Sequence, residues 1–209
     1  MSVLLVGSGG HARVCAEILE DLGWSVQGCL NRDGVANPGF DVPVLGPDSE
    51  LEGRIQAGAT DVLVAIGDNE ARLSLGRRVL AAGGRLISAV SPYAHISVSA
   101  RIGDGVVVMP GAVVNAGTVL GDLVIVNTNA TVDHDCVLGY AVHIAPAVAL
   151  AGGVRVGSSA LIGIGARVIP GMEIGDQAVV GAGAVVIGPV PARSTVVGVP
   201  ARVTGVSNA

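Results

Sequence analysis

A six-residue hydrophobic repeat runs through the second half of the chain. Between residues 96 and 186 every sixth position is Ile, Leu or Val, and we call these positions the anchors. The anchors are Ile96, Ile102, Val108, Val114, Leu120, Val126, Val132, Leu138, Ile144, Leu150, Val156, Ile162, Val168, Ile174, Val180 and Val186. A small or short residue often follows four positions later, as at Ala112, Thr118, Ala130, Cys136, Ala160, Ala166 and Ala184.

A hexapeptide is long enough for one short strand and one turn. If the anchor and the small residue both point inward, three hexapeptides close a triangular coil of about 18 residues. Residues 96–191 are therefore predicted to form about five coils of a narrow parallel β-helix. The register does not slip between Ile96 and Val186, so no long loop is expected to leave the coils.

The first ninety residues show a different pattern, in which short apolar runs alternate with amphipathic stretches. Strands are predicted over Val3–Val6, Ser25–Leu30, Asp61–Ile66 and Arg85–Val90, and helices over His11–Leu22 and Asn69–Ala82. In the second helix, Leu73, Val79 and Leu80 are expected to face inward. This alternation predicts a parallel α/β domain over residues 1–91, followed by the β-helix domain over 92–209.

Each coil of such a β-helix buries its faces only against its neighbours. The α/β domain is therefore expected to cover one end of the β-helix, and the segment Pro189–Ala209 the other.

Composition and charge exclude several classes of protein. The chain has 17 acidic residues and 12 basic ones, all of them Arg, with a net charge of -5, which leaves no basic face for nucleic acid. The uncharged stretch from Cys136 to Val154 follows the repeat and contains helix-breaking Gly and Pro, so neither a membrane span nor a leader signal is predicted. Three cysteines without pairing parity or CxxC spacing indicate neither disulfides nor a zinc site and favour the cytoplasm.

A glycine-rich loop joins the first predicted strand to the first helix. The segment Gly7–Ala12 reads GSGGHA, a pattern whose backbone N–H groups and helix N-terminus can receive a phosphate. About 90 residues make only one mononucleotide-binding half, which weakens a dinucleotide interpretation. A tight turn without any ligand remains the alternative.

Other polar residues are expected at the same carboxyl edge of the sheet, where ligands of α/β folds collect. Asn31 and Arg32 follow the second predicted strand, and Asp68 and Asn69 follow the third. Asp68 has an alternative role as a helix N-cap.

His134 is the candidate general base. It lies two positions after the anchor Val132, where a side chain projects outward from a turn, and Asp133 and Asp135 flank it. Acyl transfer from a thioester to an amine needs a group that accepts the amine proton, and an imidazole beside a carboxylate can do so near neutral pH. An exposed histidine without function is the alternative.

Five segments carry a resemblance to a known family. They are GSGGHA at 7–12, AIGDN at 65–69, NTNATVDHDCVLG at 127–139, AGGVRVG at 151–157 and GVPAR at 198–202. Together they resemble bacterial left-handed β-helix acetyltransferases that N-acetylate nucleotide-linked 4-amino-dideoxy sugars and are grouped with sialic acid O-acetyltransferases. The resemblance covers nearly the whole chain and implies acetyl-CoA as cosubstrate, without a metal.

The resemblance also implies roles for individual residues. Gly9, Gly10 and His11 would contact the nucleotide diphosphate, Asn127 the sugar, and His143, Gly152, Gly153 and Ile164 the acetyl-CoA, while Asp135 would orient His134, with Asp133 as the weaker candidate. Relatives often place two acidic residues where this chain has Asn31 and Arg32, which leaves the nucleotide base open.

Structural explanations compete with some of these roles. Asn127 could be a corner residue with left-handed backbone, Gly152 and Gly153 could be ordinary corner glycines, and an N–H near Gly152 could instead stabilise an oxyanion.

A chain without long loops must form its pocket from coil faces. A groove between packed solenoids is the natural solution, and the family's arrangement is a homotrimer. Three other functions are alternatives. A sugar O-acetyltransferase would use the same base. A carbonic anhydrase-type enzyme would need three zinc-binding histidines, but only His134 and His143 lie well inside the predicted β-helix, with His95 at its edge. A structural solenoid would not need His134.

Overall fold

The computed structural model describes residues 1–206. The chain divides into two compact units, one over Met1–Pro92 and one that begins at Tyr93. The first is an α/β unit and the second is a parallel β-helix, as the two hydrophobic patterns predict.

The α/β unit is built on a five-stranded parallel sheet. Its elements are β1 Ser2–Val6, α1 Gly10–Asp21, β2 Ser25–Asn31, β3 Val44–Pro47, a 3-10 turn Asp48–Glu50, α2 Leu51–Gln56, β4 Asp61–Val64, α3 Asn69–Ala81 and β5 Arg85–Leu86. The strand order is β3-β2-β1-β4-β5, and every neighbouring pair is parallel. The carboxyl ends of β1 to β4 therefore share one edge of the sheet.

The sequence pattern missed part of this unit. It did not predict β3 and α2, and the single strand expected over Arg85–Val90 is two short ones, β5 and β6 (Ala89–Val90), of which only β5 joins the five-stranded sheet. β3 is an edge strand, and its residues are half-exposed. It therefore lacks the continuous apolar run by which a buried strand is predicted.

The inner face of α3 also differs from the prediction. Leu80 is 54% exposed and Leu73 is only half-buried, while Val79 is buried as expected. Leu75 and, unexpectedly, Arg72 fill the rest of the buried face. The guanidinium of Arg72 donates to the carbonyl O atoms of Ile66 and Gly67 and to Oδ1 of Asn69, which offsets the cost of its burial on this face.

The β-helix unit consists mainly of two-residue strands, and each anchor is the second residue of its strand. The strands are β7 His95–Ile96, β8 Arg101–Ile102, β9 Val107–Val108, β10 Val113–Val114, β11 Val119–Leu120, β12 Ile125–Val126, β13 Thr131–Val132, β14 Val137–Leu138, β15 His143–Ile144, β16 Ala149–Leu150, β17 Arg155–Val156, β18 Leu161–Ile162, β19 Arg167–Val168, β20 Glu173–Ile174, β21 Val179–Val180 and β22 Val185–Val186. The prediction of a left-handed β-helix from the anchors and the resemblance is confirmed.

Three faces form because strands three apart in chain order pair in parallel. Val113 lies beside Thr131, and Thr131 lies beside Ala149, which is one coil of 18 residues at each step. We call the face of β7, β10, β13, β16, β19 and β22 the first face, that of β8, β11, β14, β17 and β20 the second, and that of β9, β12, β15, β18 and β21 the third.

Every turn from residue 105 to residue 183 has a left-handed backbone at the third position after the anchor. Non-glycine residues occupy this position at Leu123, Asn129, Asp135, Ala141, Ala147, Ser159 and Gln177, with φ between 53° and 60°. Asn129, and not Asn127, is the asparagine in this conformation, so the corner interpretation of Asn127 is wrong.

Beyond β22 the chain forms two longer strands, β23 Ser194–Val197 and β24 Arg202–Val206. β23 continues the third face in parallel with β21, and β24 pairs antiparallel with β23. The last three residues of the predicted C-terminal cap, 207–209, lie outside the described residues. No helix in the described chain is long and apolar enough to cross a bilayer.

Candidate active site

His134 lies in the turn between the first and second faces, and its side chain is 61% exposed. Its Nδ1 is 2.9 Å from Oδ2 of Asp135. A carboxylate only accepts hydrogen bonds, so Nδ1 carries the proton of the neutral ring and Nε2 carries the lone pair. The hydrogen bond with Asp135, together with the charge of Asp133, raises the pKa of His134 above its ordinary value. The imidazole is therefore held as a proton acceptor that faces solvent.

The two carboxylates beside His134 make different contacts. Oδ1 of Asp133 accepts hydrogen bonds from the backbone N of His134 at 2.8 Å and from Nδ2 of Asn115 at 2.9 Å. The backbone hydrogen bond from His134, followed by that from Asn115, lowers the pKa of Asp133. Asp133 therefore shapes the turn, and Asp135 contacts the ring. Asn115 was missed by the sequence reading, although it stands one coil, 18 residues, before Asp133.

Gly152 and Gly153 lie one coil after His134, for two different reasons. Gly153 occupies the left-handed position of its turn, with φ of 70°, and its N donates to the carbonyl O of His134 at 2.8 Å. Gly152 is not in the left-handed region, and a Cβ built on it would lie 2.5 Å from Nε2 of His134. The corner interpretation therefore holds for Gly153 but not for Gly152.

Asn127 and His143 contact each other. Nδ2 of Asn127 is 3.1 Å from Nε2 of His143, and because the amide N–H donates, the imidazole nitrogen accepts. His143 lies on the third face, and Asn127 lies at the corner between the third and first faces. The exposed Ile164 lies at that same corner. His134, in contrast, lies at the corner between the first and second faces. A single chain thus holds the predicted β-helix site residues in two separate groups.

The α/β unit contains a cavity of about 670 Å³ at the carboxyl edge of its sheet. Six residues predicted to bind substrate line it, namely Gly9, Gly10, His11, Asn31, Arg32 and Asp68. Gly9 is the N-cap of α1, and a Cβ on Gly9 or Gly10 would meet no atom within 4 Å, so the loop leaves room for a ligand above the helix N-terminus. Gly7 serves the fold instead, since its Cβ would lie 2.5 Å from the carbonyl O of Ala65.

Asn31 and Asp68 are also engaged in local structure. Nδ2 of Asn31 donates to Oγ of Ser8 at 3.0 Å and to the carbonyl O of Val35 at 2.8 Å, which ties the glycine loop to the segment after β2. The carboxylate of Asp68 accepts from the backbone N of Ala71 at 2.8 Å, as the N-cap alternative predicts.

Two residues near this cavity were not found from the sequence. Asp48 lines the cavity at the end of β3, and a pattern that missed β3 could not place it. Arg72 donates to the carbonyl O atoms of Ile66 and Gly67 at 2.9 and 3.0 Å, which fixes the loop after β4. Burial lowers the pKa of Arg72 to about 10, which leaves it charged at neutral pH.

The described residues contain no group of three His, Cys, Asp or Glu side chains that could hold a metal ion. Cys15, Cys29 and Cys136 are buried free thiols. Burial raises the pKa of Cys15 to about 12, so it is not a nucleophile near neutral pH.

Comparisons with known proteins match both units of the chain. The family described as PglD N-terminal domain matches residues 2–79, and the bacterial transferase hexapeptide family (six repeats) matches residues 99–134. No curated protein matches the chain.

Several solved structures match along nearly the whole chain. A variant of perosamine N-acetyltransferase from Caulobacter crescentus, in complex with CoA and GDP-perosamine, is 45% identical, with a TM-score of 0.95 over 98% of this chain and 97% of that chain. PerB from the same organism, with the same two ligands, is 46% identical, with a TM-score of 0.92 over 98% of both chains. The acetyltransferase domain of PglB from Neisseria gonorrhoeae, in complex with acetyl coenzyme A, is 39% identical, with a TM-score of 0.88 over 97% of this chain and 98% of that chain.

Proposed function

Because the chain belongs to the nucleotide-sugar N-acetyltransferases of the left-handed β-helix family, we propose that it transfers the acetyl group of acetyl-CoA to the 4-amino group of a nucleotide-linked 4-amino-dideoxy sugar, with His134 as general base. The observation that carries this assignment of the base is the 2.9 Å contact between Nδ1 of His134 and Asp135, which leaves Nε2 free to accept a proton.

The reaction needs one proton to move and one acyl bond to exchange. The sugar amine attacks the thioester carbonyl while Nε2 of His134 takes a proton from its nitrogen. The tetrahedral intermediate then collapses, the C–S bond breaks, and the imidazolium returns the proton to the CoA sulfur. Asp135 stabilises the imidazolium in between and keeps Nδ1 protonated.

The glycine-loop cavity supports a nucleotide-linked substrate. Gly9 and Gly10 leave the helix N-terminus open, and the partial positive charge there favours a diphosphate. Free sialic acid, the substrate of the O-acetylating alternative, has no diphosphate for this loop. The cavity therefore supports the amino-sugar nucleotide over a free sugar acid.

We also propose that the nucleotide is GDP. Three of the matching Caulobacter structures are complexes with GDP-perosamine. In this chain Asp48 lies two strands from the glycine loop, about 10 Å at ordinary strand spacing, and no hydrogen bond from residues 1–206 reaches its carboxylate. Guanine offers two adjacent N–H donors that suit a carboxylate, whereas uracil and thymine offer one N–H between two repelling carbonyl oxygens.

A homotrimer with sites between subunits is part of this proposal. His134 lies at one corner of the coil, and Asn127 and His143 lie at another, across the first face. Packing of parallel solenoids around a threefold axis brings a corner of one chain against a different corner of its neighbour. The acetyl-CoA residues proposed for that groove are His143, Gly153 and Ile164, together with the backbone of Gly152. The three buried free thiols agree with the reducing cytoplasm as the place of action.

The decisive experiment measures release of CoA thiol from acetyl-CoA. The acceptors are GDP-, UDP- and dTDP-linked 4-amino sugars, with free sialic acid as the comparison. We expect turnover with the GDP-linked amine and a fall in kcat of about 10²- to 10⁴-fold in His134→Ala. Turnover with sialic acid alone would move the assignment to O-acetylation, and an unchanged His134→Ala variant would refute the assigned base.

A further inference from the structure

The absence of a side chain at Gly152 has a specific geometric consequence for His134. A Cβ on Gly152 would lie 2.5 Å from both Cε1 and Nε2 of His134 and 3.1 Å from Cδ2. A Cβ atom essentially never lies within 3.0 Å of a non-bonded heavy atom, so the imidazole in this position is compatible only with the bare backbone of residue 152, which faces the ring edge that carries the base nitrogen.

The fold does not explain this glycine. Residues at the same turn position in other coils are Val98, Ala116, Pro170 and Gly188, so the turn accepts side chains there. The backbone of Gly152 is outside the left-handed region, unlike that of Gly153. Gly188 is the matched case: it is also outside that region, and a Cβ on it would meet no atom within 4 Å.

From these observations we infer that Gly152 is a positioning residue for the acetyl transfer, whose missing side chain leaves room for the His134 imidazole to lie with Nδ1 on Asp135. This inference rests on the proposed function of His134. It differs from a contact between Gly152 and acetyl-CoA, because it acts through the ring and not through the cosubstrate.

In Gly152→Ala, the added methyl group forces the His134 ring away from its position against the backbone of residue 152. Rotation about the His134 side-chain bonds breaks or lengthens the 2.9 Å contact with Asp135 and displaces Nε2 from the attacking amine. Displacement of a catalytic group by about 1 Å can lower the rate about 10²-fold, so we expect kcat to fall about 10- to 100-fold. The KM values for acetyl-CoA and nucleotide sugar should stay within about 2-fold of the parent.

The experiment is a double-variant cycle in the thiol-release assay, with Gly152→Ala measured in the parent and in the His134→Ala background. Gly188→Ala is the matched control and should keep the parent kcat. We expect Gly152→Ala to lower kcat only when His134 is present, because without the ring there is nothing to displace. A further loss in the His134→Ala background, or a rise in KM for acetyl-CoA with kcat unchanged, would overturn the inference.

Two measurements keep the inference testable if activity or folding fails. If Gly152→Ala folds poorly, His134→Ala/Gly152→Ala should regain the melting temperature of His134→Ala, since removal of the ring removes the clash. If no acceptor turns over, the proposed function fails, but the ¹⁵N resonances of the His134 ring should still show loss of the protonated Nδ1 in Gly152→Ala. Unchanged ring resonances would contradict the inference that the bare backbone of Gly152 positions the His134 ring.

Discussion

Neighbouring residues of the same type can hold different roles when the backbone turns between them. Asp133 precedes His134 and bonds its backbone N, while Asp135 follows in the left-handed conformation, with φ of 59°, and bonds the ring. The resemblance implies Asp135 as orienter, and Asp135 is the carboxylate that lies within hydrogen-bond distance of the ring. The sequence pattern alone could not separate the two carboxylates, because both are adjacent to the histidine.

Removal of the ring contact should move the pH dependence in a defined direction. Asp135 raises the pKa of His134, so Asp135→Asn should lower that pKa. Because the base must be unprotonated, the acidic limb of the kcat/KM profile should shift to lower pH, while kcat at the plateau falls about 10²-fold through loss of the ring's orientation. Profiles measured from pH 5 to 9 test this, and an acidic limb at higher pH would contradict it.

Substitution of Asp48 tests which nucleotide base the protein recognises. Asp48→Asn replaces an acceptor pair with one acceptor and one donor, so it should lose one of the two hydrogen bonds with guanine. We expect kcat/KM for the GDP-linked sugar to fall about 10- to 100-fold, with a change below about 2-fold for a UDP-linked one. Asp33→Asn, an exposed change outside the cavity, is the control. Equal losses for both nucleotides would refute base recognition by Asp48.

At the scale of the elements, coil stacking limits which residues fit at a corner. A glycine follows each anchor of the second face, at Gly103, Gly121, Gly139, Gly157 and Gly175. A Cβ on Gly157 would lie 2.4 Å from both N and Oδ1 of Asp176 in the next coil. These glycines allow the backbones of successive coils to approach closely at the corner that follows the second face.

Gly157→Ala should therefore weaken the β-helix. The added methyl group meets backbone, which cannot move aside as a flexible side chain can, and such overpacking typically costs about 1–3 kcal/mol. Gly188→Ala, where a Cβ meets no atom within 4 Å, should change the free energy of unfolding by less than about 0.5 kcal/mol. Urea titrations followed by circular dichroism compare the two, and equal midpoints would show that the corner tolerates a side chain.

At the scale of the whole molecule, the two groups of β-helix site residues imply shared sites. If each site takes His134 from one chain and Asn127 from its neighbour, trimers mixed from His134→Ala and Asn127→Ala chains contain some intact sites. For random mixing of equal amounts, roughly a quarter of the sites are intact, so co-expression should restore roughly a quarter of the parent activity.

Each variant alone provides the control for that mixture, and light scattering should give the mass of three chains. If both variants assemble and the mixture is no more active than either variant alone, then both residues of a site come from one chain.

The sequence by itself determined the architecture, because periodicity reports directly which residues face inward. The anchors predicted the strands, the 18-residue coil and the outward position of His134, and the glycine loop predicted the phosphate-binding edge. Only the tertiary structure decided the contacts between residues far apart in the chain. Such contacts depend on which coils, strands and loops become neighbours. They include the packing of His134 against Gly152, the hydrogen bond between Asn127 and His143, the burial of Arg72 and the position of Asp48 in the cavity. Local sequence patterns report which residues are buried, whereas the contacts between distant residues arise from the way coils, strands and loops stack.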